Sequence, residues 1–136
     1  MVSTPEVRPL YMLDTCVCVD LLRGRVGKSV LPQTSQTAIS SVVAAELWTG
    51  WEKMGRPARK LEPLQVLLET VPVIDFSAEA AQHYGEIRAY LEKKGTPIGP
   101  MDLLIAAHAR SIRATLITAN VGEFKRVPKL KCRGWK

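Results

Sequence analysis

Three carboxylates stand where their neighbours leave no ordinary place for a charge. Asp14 ends the apolar run "LYMLD", Glu46 interrupts "VVAAELW", and Asp102 interrupts "PIGPMDLLIAA". Carboxylates within about 4 to 6 Å of one another repel and raise their own pKa values, a cost that a divalent cation removes. Oxygen donors without a nearby set of His or Cys suit a hard ion, Mg2+ or Mn2+, rather than zinc. Such an ion lowers the pKa of a bound water and stabilises charge on a phosphoryl oxygen. The chemistry these residues point to is therefore metal-assisted hydrolysis of a phosphodiester. Each acid also has a plainer reading: Asp14 as a helix cap, Asp102 as the complement of a helix N-terminus, Glu46 on an exposed edge.

Convergence depends on the elements that carry the acids. "LYMLD" (10–14) reads as a buried strand, and "TCVCVDLLRG" as a helix opened by Asp14 or Thr15 and closed near Gly24. "TAIS" (37–40) is a second short strand, followed by a helix through "VVAAELWTGWEKM" with Ser40 or Ser41 as its cap. "ARKLEPLQVLLETV" continues helical, with Pro63 expected to start a new helix or kink the old one. "VPVIDF" (71–76) is a third strand; Ser77 then caps a helix whose Tyr84, Ile87 and Leu91 share a face and which ends at Gly95. "PMDLLIAAHARSI" is a further helix with Pro100 in its first turn, "ATLITAN" (114–120) a fourth strand, and "KLKCRGW" a short fifth.

Strands alternating with helices imply an α/β fold, a mostly parallel sheet between helical layers. Ligands in such folds bind outside the carboxyl ends of the strands, where strand order reverses. Asp14 sits at one such end, and Glu46 and Asp102 lie in the first turns of helices on the same side, so the three acids are expected to share one crevice.

With 136 residues and 46% hydrophobic content the chain is expected to form one domain over residues 10–136, preceded by a loose arm, 1–9. No apolar run approaches the roughly 20 residues that cross a bilayer, and "MVSTPEVRP" lacks the features of a secretory signal, so the expectation is a cytoplasmic protein with no membrane contact. Cys16, Cys18 and Cys132 form no disulfide framework or four-ligand zinc set and read as buried small hydrophobes. His83 has no acidic or Cys partner at ligand spacing, and His108, six residues after Asp102, falls about 120° away around the helix, so both read as packing or solvent positions. All the Asp and Glu residues precede position 125 and are matched there by equally many Lys and Arg. Lys125, Arg126, Lys129, Lys131, Arg133 and Lys136 therefore carry the whole net charge of +6. A phosphate backbone would be drawn to such a cluster, and a solvated tail would have the same composition.

"YMLDT", "ISSVVAAEL", "GTPIGPMDLLIAAHARS" and "LITANVGEFKRVPKL", in this order, resemble the PIN-domain ribonucleases of the VapC type, the toxins of bacterial toxin–antitoxin pairs. The resemblance spans about residues 10–136. It implies a three-layer α/β/α fold and an acidic pocket binding Mg2+ or Mn2+. Asp14, Glu46 and Asp102 fall on the family's principal acids, Thr118 on a position that orients water or metal ligands, and Thr15 on a supporting hydroxyl. Asn120 falls on a fourth position that is Asp in many relatives, with Glu123 as the alternative; Asn120 is favoured, because Glu123 in "GEFKRV" can pair with Lys or Arg. Cys16 stands where relatives often carry Asn, removing an amide that could hold the first acid.

The resemblance further implies a homodimer, and a cognate VapB-like antitoxin whose tail lies in an apolar groove, with DNA reached only through that antitoxin. Leu22, Leu47, Trp48 and Trp51 are the groove candidates, although an ordinary core would use them identically. The implied substrate is structured RNA with single-stranded loops, including the anticodon region of tRNA, initiator tRNA among them, whose cutting would inhibit translation. Arg110, Arg113, Lys125 and Arg126 are candidates to hold flanking phosphates, while Arg110 could also be a solvated helix-end charge.

Two other classes compete. A partner- or RNA-binding module that has lost its chemistry would have no use for three buried-side carboxylates. A phosphoaspartyl protein would want a second Asp two residues after Asp14, where Cys16 stands.

Overall fold

The computed structural model describes residues 9–25, 32 and 36–135. The expected arm falls almost wholly on residues 1–8, outside that range. The described elements are β1 (Tyr11–Leu13), α1 (Thr15–Leu22), β2 (Thr37–Ser40), α2 (Ser41–Lys53), α3 (Ala58–Thr70) and β3 (Val73–Ile74). There follow α4 (Ala78–Lys94), α5 (Pro100–Ser111), β4 (Thr115–Ile117), α6 (Val121–Phe124) and β5 (Cys132–Arg133).

The strands pair in the order β3-β2-β1-β4-β5, every pair parallel. Apolar runs without polar alternation suit such a sheet, because both of its faces are covered. Met12, Leu13, Ile39, Leu116 and Ile117 are all essentially inaccessible. From β1 the chain moves outward through β2 to β3 and then returns to β4 on the other side of β1. Strand order therefore reverses between β1 and β4, and the crevice lies beyond Leu13 and Ile117. On the helical layers, α1, α2 and α3 contact one another, and α4 packs along α5.

Local chemistry explains most boundaries. Ser40 Oγ accepts from the Val42 amide at 3.1 Å to cap α2, and Ser77 Oγ accepts from Ala80 at 3.0 Å to cap α4. Gly95, at φ 73°, ends α4 in the left-handed conformation glycine adopts without a Cβ clash. Pro100 opens α5, where its missing N–H costs nothing. From Ile105 to Arg110 every residue of α5 is buried, and Ala106, Ala107 and Ala109 keep its contacts close.

Three expectations need correction. Pro63 does not start a helix: the break comes earlier, at Gly55 (φ 86°) and Arg56 (φ 57°), and Pro63 lies exposed inside α3, where water can reach the Arg59 carbonyl it leaves unbonded. The third strand is two residues rather than six, because the Phe76 amide donates to Ser41 Oγ (3.0 Å) and leaves the ladder. The fourth strand stops at Ile117, since Thr118 Oγ1 accepts from the Asn120 amide (2.9 Å) and turns the chain. Among the described residues no helix is long and apolar enough to cross a membrane.

Candidate active site

The crevice between β1 and β4 is built around Asp14. Its residue is 5% exposed and its backbone N–H donates to the Ile117 carbonyl at 2.9 Å, so it is locked to the reversal point of the sheet. Asp14 Oδ1 accepts from the Thr15 amide (2.8 Å), the cap expected of a helix-opening Asp. Oδ2 accepts from Thr118 Oγ1 (2.7 Å) and from the Cys16 thiol (3.3 Å). Cap and pocket acid are thus one residue, with no choice needed between the two readings.

Glu46 enters from α2. Its Oε1 accepts from Thr15 Oγ1 at 2.6 Å, so the hydroxyl after Asp14 ties the second acid to the first across 31 residues of sequence. Asp102 enters from the first turn of α5, half-buried. Burial pushes its carboxyl up to about 6, and the charges of Asp14, Glu123 and Glu46, with a hydrogen bond to Glu123, push the same way. The three acids expected to converge do share one crevice, close enough to repel.

A fourth carboxylate joins them. Glu123, on α6, was assigned a Lys or Arg partner by its sequence neighbours, yet the ion pairs among the described residues leave it out. It accepts instead from Asn120 Nδ2 and faces Asp102. Asn120 and Glu123 therefore occupy the fourth corner together, Asn120 exposed and orienting, Glu123 supplying the charge.

Cys16 also differs from expectation. It is not a buried hydrophobe but a half-buried thiol in the pocket wall, 3.9 Å from Thr118 Oγ1 and accepting from the Ala119 amide at 3.5 Å. Burial, with the nearby Asp14 charge, pushes the thiol up against the opposing pull of that amide, which makes it a hydrogen-bond donor rather than a nucleophile. It supplies a contact to Asp14 in place of the absent amide.

The donors are carboxylate and hydroxyl oxygens with no imidazole among them, a set that fits a hard divalent ion. Among the described residues no three His, Cys, Asp or Glu side chains close to the spacing of direct ligation. An ion held there would therefore keep several of its waters and take one or two carboxylates directly.

A family model described as PIN domain matches residues 11–130. The chain is 41% identical over 131 residues to Ribonuclease VapC2 of Rickettsia felis, spanning 93% of this chain and 98% of that protein. This chain belongs to the VapC ribonucleases of the PIN-domain family. It is also 37% identical over 128 residues to tRNA(fMet)-specific endonuclease VapC of Salmonella typhimurium, across 92% of this chain and 97% of that protein. Among solved structures, that of DNA-bound VapBC from Salmonella typhimurium superposes with a TM-score of 0.85 at 35% identity, covering 94% of this chain and 99% of the other.

The remaining candidates of this VapC chain divide. Lys125 and Arg126 are exposed just after α6, the helix that carries Glu123. Arg113 is exposed, but beyond the far end of α5 from Asp102. Arg110 is on no rim: it is 7% exposed, donating from Nε to His83 Nδ1 (2.8 Å) and from Nη1 to the Pro128 carbonyl (3.1 Å), with Nη2 3.0 Å from Glu86. Burial under α4 and the 125–131 segment removes it from contact with a ligand. His108 is a packing residue, buried on Ser40 Oγ at 2.7 Å.

An apolar groove of about 410 Å3 runs between α1, α2 and α3, lined by Val19, Leu22, Leu47, Trp51, Met54 and Leu64, with Glu46, Arg23 and Lys60 also in its wall. Leu22, Leu47 and Trp51 were expected there. Trp48 does not line it; one step of helix rotation from Leu47 leaves it 36% exposed, with its ring edge-on to Trp51 at 5.8 Å.

Proposed function

We propose that this VapC chain is an Mg2+- or Mn2+-dependent endoribonuclease that cuts structured RNA, with tRNA of the initiator kind as its substrate, and that a VapB-like antitoxin restrains it. The observation that carries the reading is the meeting of Asp14, Glu46, Asp102 and Glu123 at the sheet's reversal point, where Asp102 is raised to about 6 by burial and like charge. A pocket that concentrates negative charge repels a phosphate backbone unless a cation offsets it. The tRNA assignment follows the named specificity of the Salmonella relative.

Of Asp14, Glu46 and Asp102, one or two would hold the ion directly and the rest through its waters; the bound ion would acidify a water and offset charge on the phosphoryl oxygen. Thr118 fixes Asp14 through Oδ2, and Thr15 fixes Glu46, so neither carboxylate has to be ordered when RNA arrives. Asp102 reaches the cluster from the first turn of α5, where burial and like charge raise its carboxyl as long as no cation is present. Asn120 holds Glu123 in place. Lys125 and Arg126 stand ready for flanking phosphates.

The antitoxin reading rests on the groove, which is apolar along α1 to α3 and includes Glu46 in its wall, so a hydrophobic segment seated there can present a basic side chain to the acids. The Salmonella neighbour was solved as a VapBC assembly on DNA. In our reading DNA contact belongs to the antitoxin.

End-mapped cleavage of total tRNA by the purified chain tests the proposal. We expect discrete cuts in Mg2+ or Mn2+ that vanish with EDTA and in a folded Asp102→Ala variant. Absence of any cut in an RNA-binding, metal-loaded protein would favour the module that has lost its chemistry.

A further inference from the structure

Among the described residues Arg110 is the one Lys or Arg that is buried, and its three contacts join three separate segments. His83 and Glu86 hold it from α4, Arg110 itself sits in the last turn of α5, and the third partner is the carbonyl of Pro128. Its side chain is 5% exposed whereas that of Glu86 is 68% exposed, so the guanidinium is enclosed and aimed at a backbone atom. A planar fork of donors can take acceptors from several directions at once, which a lysine ammonium cannot do in the same geometry.

The gripped segment is the part of the chain with surplus charge. Residues up to 124 are neutral overall, and Lys125, Arg126, Lys129 and Lys131 are all exposed. None of these four takes part in the ion pairs found among the described residues. Phe124 and Val127 are buried and anchor the near half of the segment. The far half turns at Lys129, whose φ of 61° is a left-handed conformation that a side chain adopts at a cost, directly after the carbonyl that Arg110 holds. A backbone in that state persists where its surroundings over-determine it.

Eight residues of helix separate Arg110 from Asp102, about 12 Å along the axis, so Arg110 lies too far off to touch the reacting phosphate. We infer that Arg110 is a positioning residue for RNA: through Pro128 it sets the 125–131 segment so that its cations meet phosphates flanking the cut. The inference rests on the nuclease reading above.

Binding of an initiator tRNA transcript, measured in an Asp102→Asn background over a series of salt concentrations, tests it. Each phosphate contact contributes about 0.7 to 0.9 to the slope of log K against log salt. Arg110→Gln is expected to weaken binding roughly tenfold and to lower that slope by about one to two contacts. In the cleavage-competent chain the same change should raise KM and leave kcat in place. Lys125→Ala with Arg126→Ala should lower the slope similarly, and adding Arg110→Gln to that pair should do less than the sum, because the residues act through one segment.

An Arg110→Gln protein with the wild-type slope, or strictly additive losses, overturns the inference, since a merely structural residue changes the folded fraction and not the slope. Arg110→Lys serves as the second variant; if neither folds, the residue is structural and the inference fails. A wild-type slope in Lys125→Ala with Arg126→Ala also overturns it, whatever Arg110 does. A parent chain that binds no tRNA sinks the nuclease reading as well, whereas tRNA cleavage with unchanged slopes sinks the positioning role alone.

Discussion

The two ends of α5 carry charge in opposite ways. At its start Asp102 is half-buried beside Asp14, Glu46 and Glu123, all of its own sign, and is pushed up to about 6. At its end Arg110 is more deeply buried, yet it has a carboxylate, an imidazole nitrogen and a carbonyl as partners. One end is an electrostatic conflict and the other its resolution, within a single helix of 12 residues. Burial alone therefore does not identify a reactive group; the sign of the neighbours does. A cluster that repels itself marks a candidate functional site, and in the function proposed above a cation is what would offset it.

The contrast is broken most severely at the conflicted end. Asp14→Asn keeps the size of the side chain and removes one charge, and single-turnover cleavage of tRNA should fall by about 10^2 to 10^4 if the cluster is the reaction centre. Thr118→Val removes the hydroxyl that fixes Asp14 Oδ2 and should cost about 10- to 100-fold in cleavage and in Mg2+ affinity, the usual effect of losing a group that orients a ligand; equilibrium dialysis would show the second. Outside the helix, Trp51→Ala should weaken antitoxin binding by about 2 kcal/mol, while Trp48→Ala, off the groove, should do less. Calorimetric titration separates the two, and circular dichroism checks that both variants remain folded.

Much of this was legible because a charge inside an apolar run is a strong local signal. Asp14, Glu46 and Asp102 each break such a run, and "TAIS" and "PMDLLIAAHARS" carry their own boundary residues. Glu123 was harder to read, since it lies between Phe124 and a run of Lys and Arg on one side and a turn on the other, and α6 is too short to show a period. Only the turn from Thr118 to Asn120 delivers it to Asp102. Arg110 gave no signal at all: a basic residue in the last turn of a helix is the ordinary complement of the dipole, and its burial comes from α4 and Pro128, both distant in sequence. In sequence Cys16 reads as a core residue because thiols usually are; its place beside Asp14 follows from its position in the first turn of α1.

The smallest effect is also the most direct reading of the conflict. A carboxyl whose folded pKa is raised from 3.8 to about 6 favours folding below its unfolded value and loses that contribution as pH climbs through the folded one. Metal-free wild type should therefore lose stability relative to Asp102→Asn between about pH 4 and pH 6, the gap reaching about 1 kcal/mol at pH 7 once solvent screening of a half-exposed group is counted. Urea unfolding of the two proteins at pH 4 and pH 7, followed by tRNA cleavage with Mg2+ on the same samples, is the measurement we would place first. The account predicts a variant that is the more stable at neutral pH and does not cut. A variant that is no more stable, or that still cuts, would contradict it.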